Sequence, residues 1–221
     1  MEGLMQQIDG YCERTDLTYW SEPVNAVTNL SFILAALIMY GRVRDRDMPL
    51  AVVLCAITFA IGVGSYLFHT HATVWAVILD VVPIGLYILT YLYGVNRTFC
   101  HIPRWRAAAL TALYIPYAMA LTPLLDRLPF FAVSNFYWTV PILILAYAVM
   151  LRRRFPDTAL NMGLGAGLLC VSITLRSVDE TLCAGFPLGT HFLWHILNGI
   201  MLGWMIEVYR RHRLAHPDGA A

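Results

Sequence analysis

Long runs of apolar residues, interrupted only by short polar segments, restrict the fold of this chain more than any other feature of its sequence. Runs of about 20 apolar residues are long enough to cross a bilayer as helices. Because backbone N–H and C=O groups find no water in lipid, such runs have to be helical. The sequence therefore predicts an all-α membrane protein, a seven-transmembrane helix bundle. The seven runs are Val24–Tyr40, Pro49–Phe68, Thr73–Tyr93, Ala107–Leu125, Phe130–Met150, Thr158–Ser177 and Thr190–Tyr209.

Composition agrees with a protein embedded in lipid. Of the 221 residues, 59% are hydrophobic and 13% are charged, whereas soluble domains contain roughly 25% charged residues. A formal net charge of +1 gives no reason to expect nucleic acid as a partner. Residues 1–20 lack the basic start and apolar core of a signal peptide. We expect one domain over residues 1–221, with an outer N-terminal segment (1–21) and a cytoplasmic tail (210–221).

Arginine is the only basic residue type besides histidine, and its distribution predicts the orientation of the bundle. Arginines follow the first, third, fifth and seventh runs; they are Arg42, Arg44, Arg46, Arg97, Arg104, Arg106, Arg152, Arg153, Arg154, Arg210, Arg211 and Arg213. The alternate loops carry only Arg127 and Arg176. The positive-inside rule then places the N-terminus outside and the C-terminus in the cytoplasm. If the chain is bacterial, as its all-arginine composition suggests, we expect a multi-pass protein of the inner membrane.

Three histidines share the predicted outer half of the bundle. His191 and His195 are four residues apart at the start of the seventh run, so their side chains lie on one helix face. His69 ends the second run at the same predicted depth. Three imidazoles with an open fourth position form a common catalytic zinc site. Ordinary helix packing is the alternative interpretation of each histidine taken alone.

Two further polar residues fall at this depth. Asp80 has apolar neighbours on both sides, and a carboxylate within the membrane is costly enough to mark a partner or a function. Ser65 is four residues before His69 and shares its helix face. Beside zinc, Asp80 could transfer a proton and Ser65 could donate a hydrogen bond to an oxyanion. A structural hydrogen bond for Asp80 and helix packing for Ser65 are the alternatives.

Acidic residues are concentrated in the N-terminal segment, where Asp9, Glu13, Asp16 and Glu22 precede the first apolar run. Clustered carboxylates can bind calcium, which prefers several oxygen ligands. Acidic residues before a helix also favour its N-terminus, and Glu22-Pro23 is a good helix start. The sequence leaves both interpretations open.

The remaining cysteines and histidines have simpler predictions. Cys55 and Cys170 lie inside apolar runs and are expected to be buried, whereas Cys100 is on the inner side. Cys12 and Cys183 both fall on the outer side, where a disulfide can persist, and we predict that they pair. We expect His71 to lie in a loop. We expect His101, in an inner loop, and His212 and His216, in the tail, to be solvated.

Several motifs occur together, and in this combination the chain resembles the alkaline ceramidase family. These seven-helix membrane amidases belong to a wider group that includes adiponectin receptors. The motifs are Cys12-Glu13 with Glu22, Asn25 and Asn29, Gly64-Ser65-x3-His69 with Asp80, Asp179-x3-Cys183, and His191-x3-His195. They extend over most of the chain.

The resemblance implies zinc on His69, His191 and His195, and Ser65 and Asp80 as catalytic partners. It also implies a calcium site in the N-terminal segment and a disulfide between Cys12 and Cys183. The sequence departs from the family at Gly10, where other members have an acidic calcium ligand, and in a shorter segment between Glu13 and Glu22. Asp9 or Asp16 could substitute as a ligand.

The leading prediction is a zinc-dependent amide hydrolase that takes a lipid from the bilayer. It would cleave the N-acyl bond of ceramide, or of a related N-acyl lipid, into a fatty acid and an amine. A metal-binding, receptor-like protein without turnover is the first alternative. A bis-histidine haem protein is the second, although it gives no role to Ser65 and Asp80. Nothing in the residues predicts the oligomeric state.

Overall fold

The computed structural model describes residues 2–8 and 10–217, and helices dominate this part of the chain. A short 3-10 helix, Glu2–Met5, precedes them, and a wide π-helical turn, Val95–Phe99, follows α4. The α-helices are α1 Pro23–Thr28, α2 Leu30–Val43, α3 Pro49–His71, α4 Val74–Gly94, α5 Arg104–Ala112, α6 Tyr114–Asp126, α7 Pro129–Ala132, α8 Asn135–Leu151, α9 Pro156–Ser177, α10 Asp179–Leu182 and α11 His191–Ala215.

Six helical segments of the described chain are long and apolar enough to cross a membrane. They are Pro23–Val43, Pro49–His71, Val74–Phe99, Arg104–Asp126, Pro156–Ser177 and His191–Ala215. The helix Asn135–Leu151 is also apolar but shorter. The predicted class, an all-helical multi-pass membrane protein, is thus confirmed. The count of seven spans and the outside position of the N-terminus stay predictions.

Three of the predicted runs are interrupted in the structure. The first helix begins at Pro23, as the Glu22-Pro23 pair predicts, and it is divided at Asn29 into α1 and α2. Pro116 removes a backbone donor, and its ring crowds the carbonyl group of residue 112, which explains the division between α5 and α6 at Leu113. The fifth run is divided at Val133–Ser134 into α7 and α8.

A close approach between α3 and α4 brings the end of one helix against the start of the next. Gly64 of α3 lies under the backbone carbonyl of Leu79 in α4, and a Cβ atom at Gly64 would overlap that oxygen. Only glycine permits this separation without displacing the backbone. The contact places Ser65, the next residue of α3, beside Asp80, the next residue of α4.

At the other end of the bundle, α11 is longer than the seventh apolar run. Glu207 accepts hydrogen bonds from Arg42 of α2 and from two arginines of its own helix, Arg210 and Arg211. These ion pairs allow polar residues to continue the helix to Ala215.

His212 belongs to this extension, and the prediction that it is solvated is wrong. Its ring is 2% exposed, packs on Phe99 and Phe155, and forms a hydrogen bond with Thr158. His71 is exposed, but it is the last residue of α3 and does not lie in a loop.

Candidate metal centre

Three buried histidines converge at the end of the bundle that carries the N-terminal segment. His69 lies in the last turn of α3, and His191 and His195 lie in the first two turns of α11. They are 0%, 2% and 1% exposed, respectively. One ligand atom from each lies within 4.8 Å of the others, so one metal ion could contact all three. This is the only such group of three or more His, Cys, Asp or Glu side chains in residues 2–8 and 10–217.

Each of the three rings keeps one buried nitrogen without a hydrogen-bond partner: His69 Nε2, His191 Nδ1 and His195 Nε2. Buried polar atoms in proteins are nearly always paired, so three unpaired nitrogens in one cluster need an explanation. A transition metal that accepts imidazole ligands would provide their partner. The residues present therefore fit a metal ion, and three neutral imidazoles suit zinc.

The opposite nitrogens of two of these rings are held by α1 and the residue before it. Nδ1 of His69 lies 2.6 Å from Glu22 Oε2, and Nδ1 of His195 lies 3.0 Å from the Thr28 hydroxyl. Such contacts set the tautomer and orientation of a ligating histidine. A residue of the N-terminal segment fixes the third ring, because Tyr11 stacks on His191 with 3.6 Å between ring centroids. Burial raises the pKa of the Tyr11 phenol, which favours its neutral form.

Asp179 joins the N-terminal segment to the start of α11. Its Oδ1 atom accepts the backbone N–H groups of Thr190 at 2.6 Å and His191 at 2.8 Å, and its Oδ2 atom accepts that of Cys12 at 3.0 Å. The carboxylate thus caps the helix that carries two of the three histidines. Gly189 makes room for it: the residue has φ +66°, and a Cβ atom there would overlap Asp179.

Cys12 and Cys183 form a disulfide, the pair predicted from their shared side of the membrane. The bond links the N-terminal segment to the residues that follow α10. It lies next to the Asp179 contacts, so a covalent bond and three hydrogen bonds act on the same junction. Cys55 is buried and free, as predicted. Cys170 is also free but only half-buried, so the prediction that it is buried is wrong, and Cys100 is half-buried and free.

Ser65 and Asp80 lie together beside the histidines. Gly64, the residue before Ser65, lies against the backbone of Leu79 and Asp80, so this contact brings the side chains of Ser65 and Asp80 to the same part of the bundle. Ser65 and Asp80 line the same cavity, whose empty volume is about 950 Å³ when the space open to its surroundings is included. The rest of its wall is mostly apolar and reaches Val95 and Tyr147 at the far end.

Arg176 of α9 also lies in this region, although the sequence analysis gave it no role in the site. Its guanidinium group donates to the Tyr11 hydroxyl at 3.3 Å and to the Ser134 hydroxyl at 2.9 Å. It also lies over the rings of Tyr137 and Trp194. These hydrogen bonds and aromatic rings offset the free-energy cost of burying the guanidinium charge.

Among the described residues, Glu13, Asp16 and Glu22 do not form a cluster of carboxylates that could share one ion. Glu13 accepts the backbone N–H groups of Val24 at 2.7 Å and Asn25 at 2.8 Å, and so caps α1. Asp16 is exposed and accepts both donors of Thr18, whose hydrogen bonds lower the pKa of Asp16. Asp9 lies outside the described residues.

The fold and this site define a class: multi-pass helical membrane proteins with a buried three-histidine cluster and an apolar cavity that Ser65 and Asp80 line. A family model described as Ceramidase matches residues 8–218, which is nearly the whole chain. The chain therefore belongs to the Ceramidase family, and membership implies a membrane hydrolase of the ceramide amide bond. No curated protein matches the chain.

Proposed function

We propose that this chain is a zinc-dependent amidase that hydrolyses the linear N-acyl bond of ceramide or a closely related lipid. The observation that carries the proposal is the cluster of three unpaired imidazole nitrogens next to a carboxylate and a hydroxyl group. The products are a free fatty acid and an amine. Family membership supports the reaction class.

His69, His191 and His195 would hold the zinc ion. Zinc bound by three imidazoles polarises a carbonyl group and lowers the pKa of a water molecule at its fourth position. Glu22 and Thr28 hold two of the rings by their second nitrogens. Because ligand orientation is set by these contacts, we expect the centre to be formed before the substrate enters.

Asp80 serves as the general base and then as the general acid. It takes a proton from the attacking water as the new C–O bond forms at the carbonyl carbon. It returns that proton to the nitrogen as the C–N bond breaks, so that the amine leaves neutral. The Ser65 hydroxyl donates a hydrogen bond to the developing oxyanion.

The apolar cavity provides a place for the acyl chain. Its lining runs along α4 from Asp80 to Leu92, a distance of roughly 18 Å at the helical rise of 1.5 Å per residue, and continues to Val95 in the π-helical turn. One leaflet of a bilayer is about 15 Å of hydrocarbon, so a long acyl chain fits. The polar groups stand at one end of this apolar space, where the amide carbonyl of such a lipid would lie.

A haem group does not suit the histidine geometry. The three rings contact one another, with centroid separations of 4.6 Å to 5.1 Å. No pair leaves a slot between parallel rings for a porphyrin. The arrangement favours a single small ion.

The proposal is tested by metal analysis of the purified protein together with fatty-acid release from a panel of N-acyl lipids. The panel contains ceramides of several acyl lengths, N-acyl amino lipids and one matched ester. We expect one equivalent of zinc and release from ceramide or from another N-acyl lipid of the panel. The Asp80→Asn variant is the control, because it should retain zinc and lose turnover. Protein with bound zinc that releases no fatty acid from any lipid would support the receptor-like alternative.

A further inference from the structure

Arg14 is a buried arginine in the acidic N-terminal segment, and its side chain donates hydrogen bonds to groups beside the metal centre and within the segment itself. Its side chain is 2% exposed. The guanidinium donates from Nε to Glu22 Oε1 at 2.5 Å, from one terminal nitrogen to the His69 carbonyl at 3.0 Å, and from the other to the Asp16 carbonyl at 3.2 Å. A single cation thus joins this segment to the last turn of α3.

Glu22, one of the carboxylates predicted as a calcium ligand, has both oxygens occupied. Oε1 accepts from Arg14, and Oε2 contacts His69 Nδ1 at 2.6 Å and accepts from Asn25 Nδ2 at 3.0 Å. Glu13 is occupied in capping α1. Calcium takes six to eight oxygen ligands, and no cluster of three or more carboxylates forms there among the described residues. The guanidinium also repels any second cation near Glu22.

We propose that Arg14 is the built-in cation of this site and acts where the family resemblance would place a calcium ion. The chain then needs no calcium, and Arg14 is a positioning residue that keeps Glu22 against the ring of His69. This inference concerns the same site as the proposed function and deepens it. It rests on the proposed zinc centre only in the experiment that measures zinc affinity.

The physical basis is the balance of charge at a buried carboxylate. With Arg14 present, the Glu22 anion is paired and can also hold the His69 ring through Nδ1. Without it, a buried carboxylate loses its partner charge, and it must move, take up a proton or draw in water. Each response loosens the contact that orients His69 Nε2 toward the other two histidines. Changes of this kind, one contact removed from a metal ligand, cost 10- to 100-fold in metal affinity.

The first experiment addresses calcium without using activity. Purified protein is freed of calcium on a chelating resin, reloaded with zinc, and its thermal unfolding is followed as calcium is added to about 1 mM, near the upper range of dissociation constants for protein calcium sites. Magnesium is the control ion. We expect the same unfolding midpoint with either ion. A saturable rise with calcium but not with magnesium would overturn the proposal.

The second experiment tests whether Arg14 positions Glu22 against the ring of His69. Zinc affinity is measured by chelator competition, and the absorption spectrum of the cobalt-substituted centre is recorded, for Arg14→Met and Arg14→Lys. We expect Arg14→Met to bind zinc about 10- to 100-fold more weakly and to change the cobalt bands, and Arg14→Lys to recover part of the loss. Arg153→Ala, which removes an exposed arginine, is the matched control and should behave as wild type.

The outcomes separate this inference from the proposed function. Wild-type zinc affinity and cobalt bands in Arg14→Met would overturn the positioning role while leaving the amidase proposal intact. Wild-type protein that binds no zinc would end the amidase proposal, but the calcium titration would still test Arg14 as the built-in cation. If Arg14→Met does not fold, the comparison of Arg14→Lys with wild type carries the second experiment. Arg14→Lys keeps the charge but cannot make all three of the hydrogen bonds, so we expect weaker zinc binding than in wild type, and equal binding would contradict us.

Discussion

Replacement of Asp179 by alanine is the most informative test of how the metal centre is held. The carboxylate accepts three backbone N–H groups, those of Cys12, Thr190 and His191. Alanine leaves all three without a partner, and the two from Thr190 and His191 are buried. The start of α11, which carries two of the histidines, then loses its cap.

The magnitude follows from these two buried donors. Each unsatisfied buried group costs about 1–3 kcal/mol, so the free energy of unfolding should fall by about 2–6 kcal/mol. For a chain of this size, 1 kcal/mol corresponds to roughly 2–4 °C, and the unfolding midpoint should fall by about 4–24 °C. Water that enters from the adjacent end of the bundle would keep the loss near the lower bound. Asp179→Asn preserves an acceptor for Thr190 and His191 and should lose less.

The assay is thermal unfolding in detergent, followed by tryptophan fluorescence, with zinc content measured on the same samples. Glu180→Ala is the matched control, because Glu180 is the next residue, is exposed and forms no side-chain hydrogen bond or ion pair with the described residues. We expect the control to match wild type. An Asp179→Ala protein with a wild-type midpoint and a full complement of zinc would refute the argument that this carboxylate organises the site.

Three further substitutions test the site from other directions. His195→Ala removes one of three metal ligands, so elemental analysis should find little zinc; a full equivalent would contradict the assigned centre. Asp80→Asn should retain zinc while fatty-acid release falls by about 10²- to 10⁴-fold, and release at the wild-type rate would exclude Asp80 as the proton carrier. Gly64→Ala forces a methyl group against the carbonyl of Leu79 and should lower the free energy of unfolding by about 1–3 kcal/mol. Gly163→Ala, where a Cβ atom meets open space, should be tolerated in the same unfolding assay.

Features repeated along the chain were predictable from the sequence. Apolar runs of membrane-spanning length specify helices whatever their partners are. The spacing of His191 and His195 follows from helix geometry alone. His69 could be added because alternation of the arginine-rich loops assigns it to the same end of the bundle as the other two.

Contacts between distant segments were not predictable in the same way. Asp179 appeared in the sequence only as part of a motif, and its three N–H partners become visible once α9 and α11 are packed together. The sequence analysis did not single out Arg14, because an arginine among several acidic residues is expected to be exposed to solvent. His212 was misassigned because the apolar run ends before it, whereas the ion pairs of Glu207 extend the helix and bury its ring.

The disulfide between Cys12 and Cys183 has a consequence for biosynthesis. Its two cysteines are 171 residues apart, so the first thiol leaves the ribosome long before its partner exists. That thiol has to avoid other oxidants and other thiols while most of the membrane segments are inserted. Correct oxidation is therefore a late event, and a ribosome that stalls before α10 releases a chain with an unpaired, reactive cysteine that quality control can recognise.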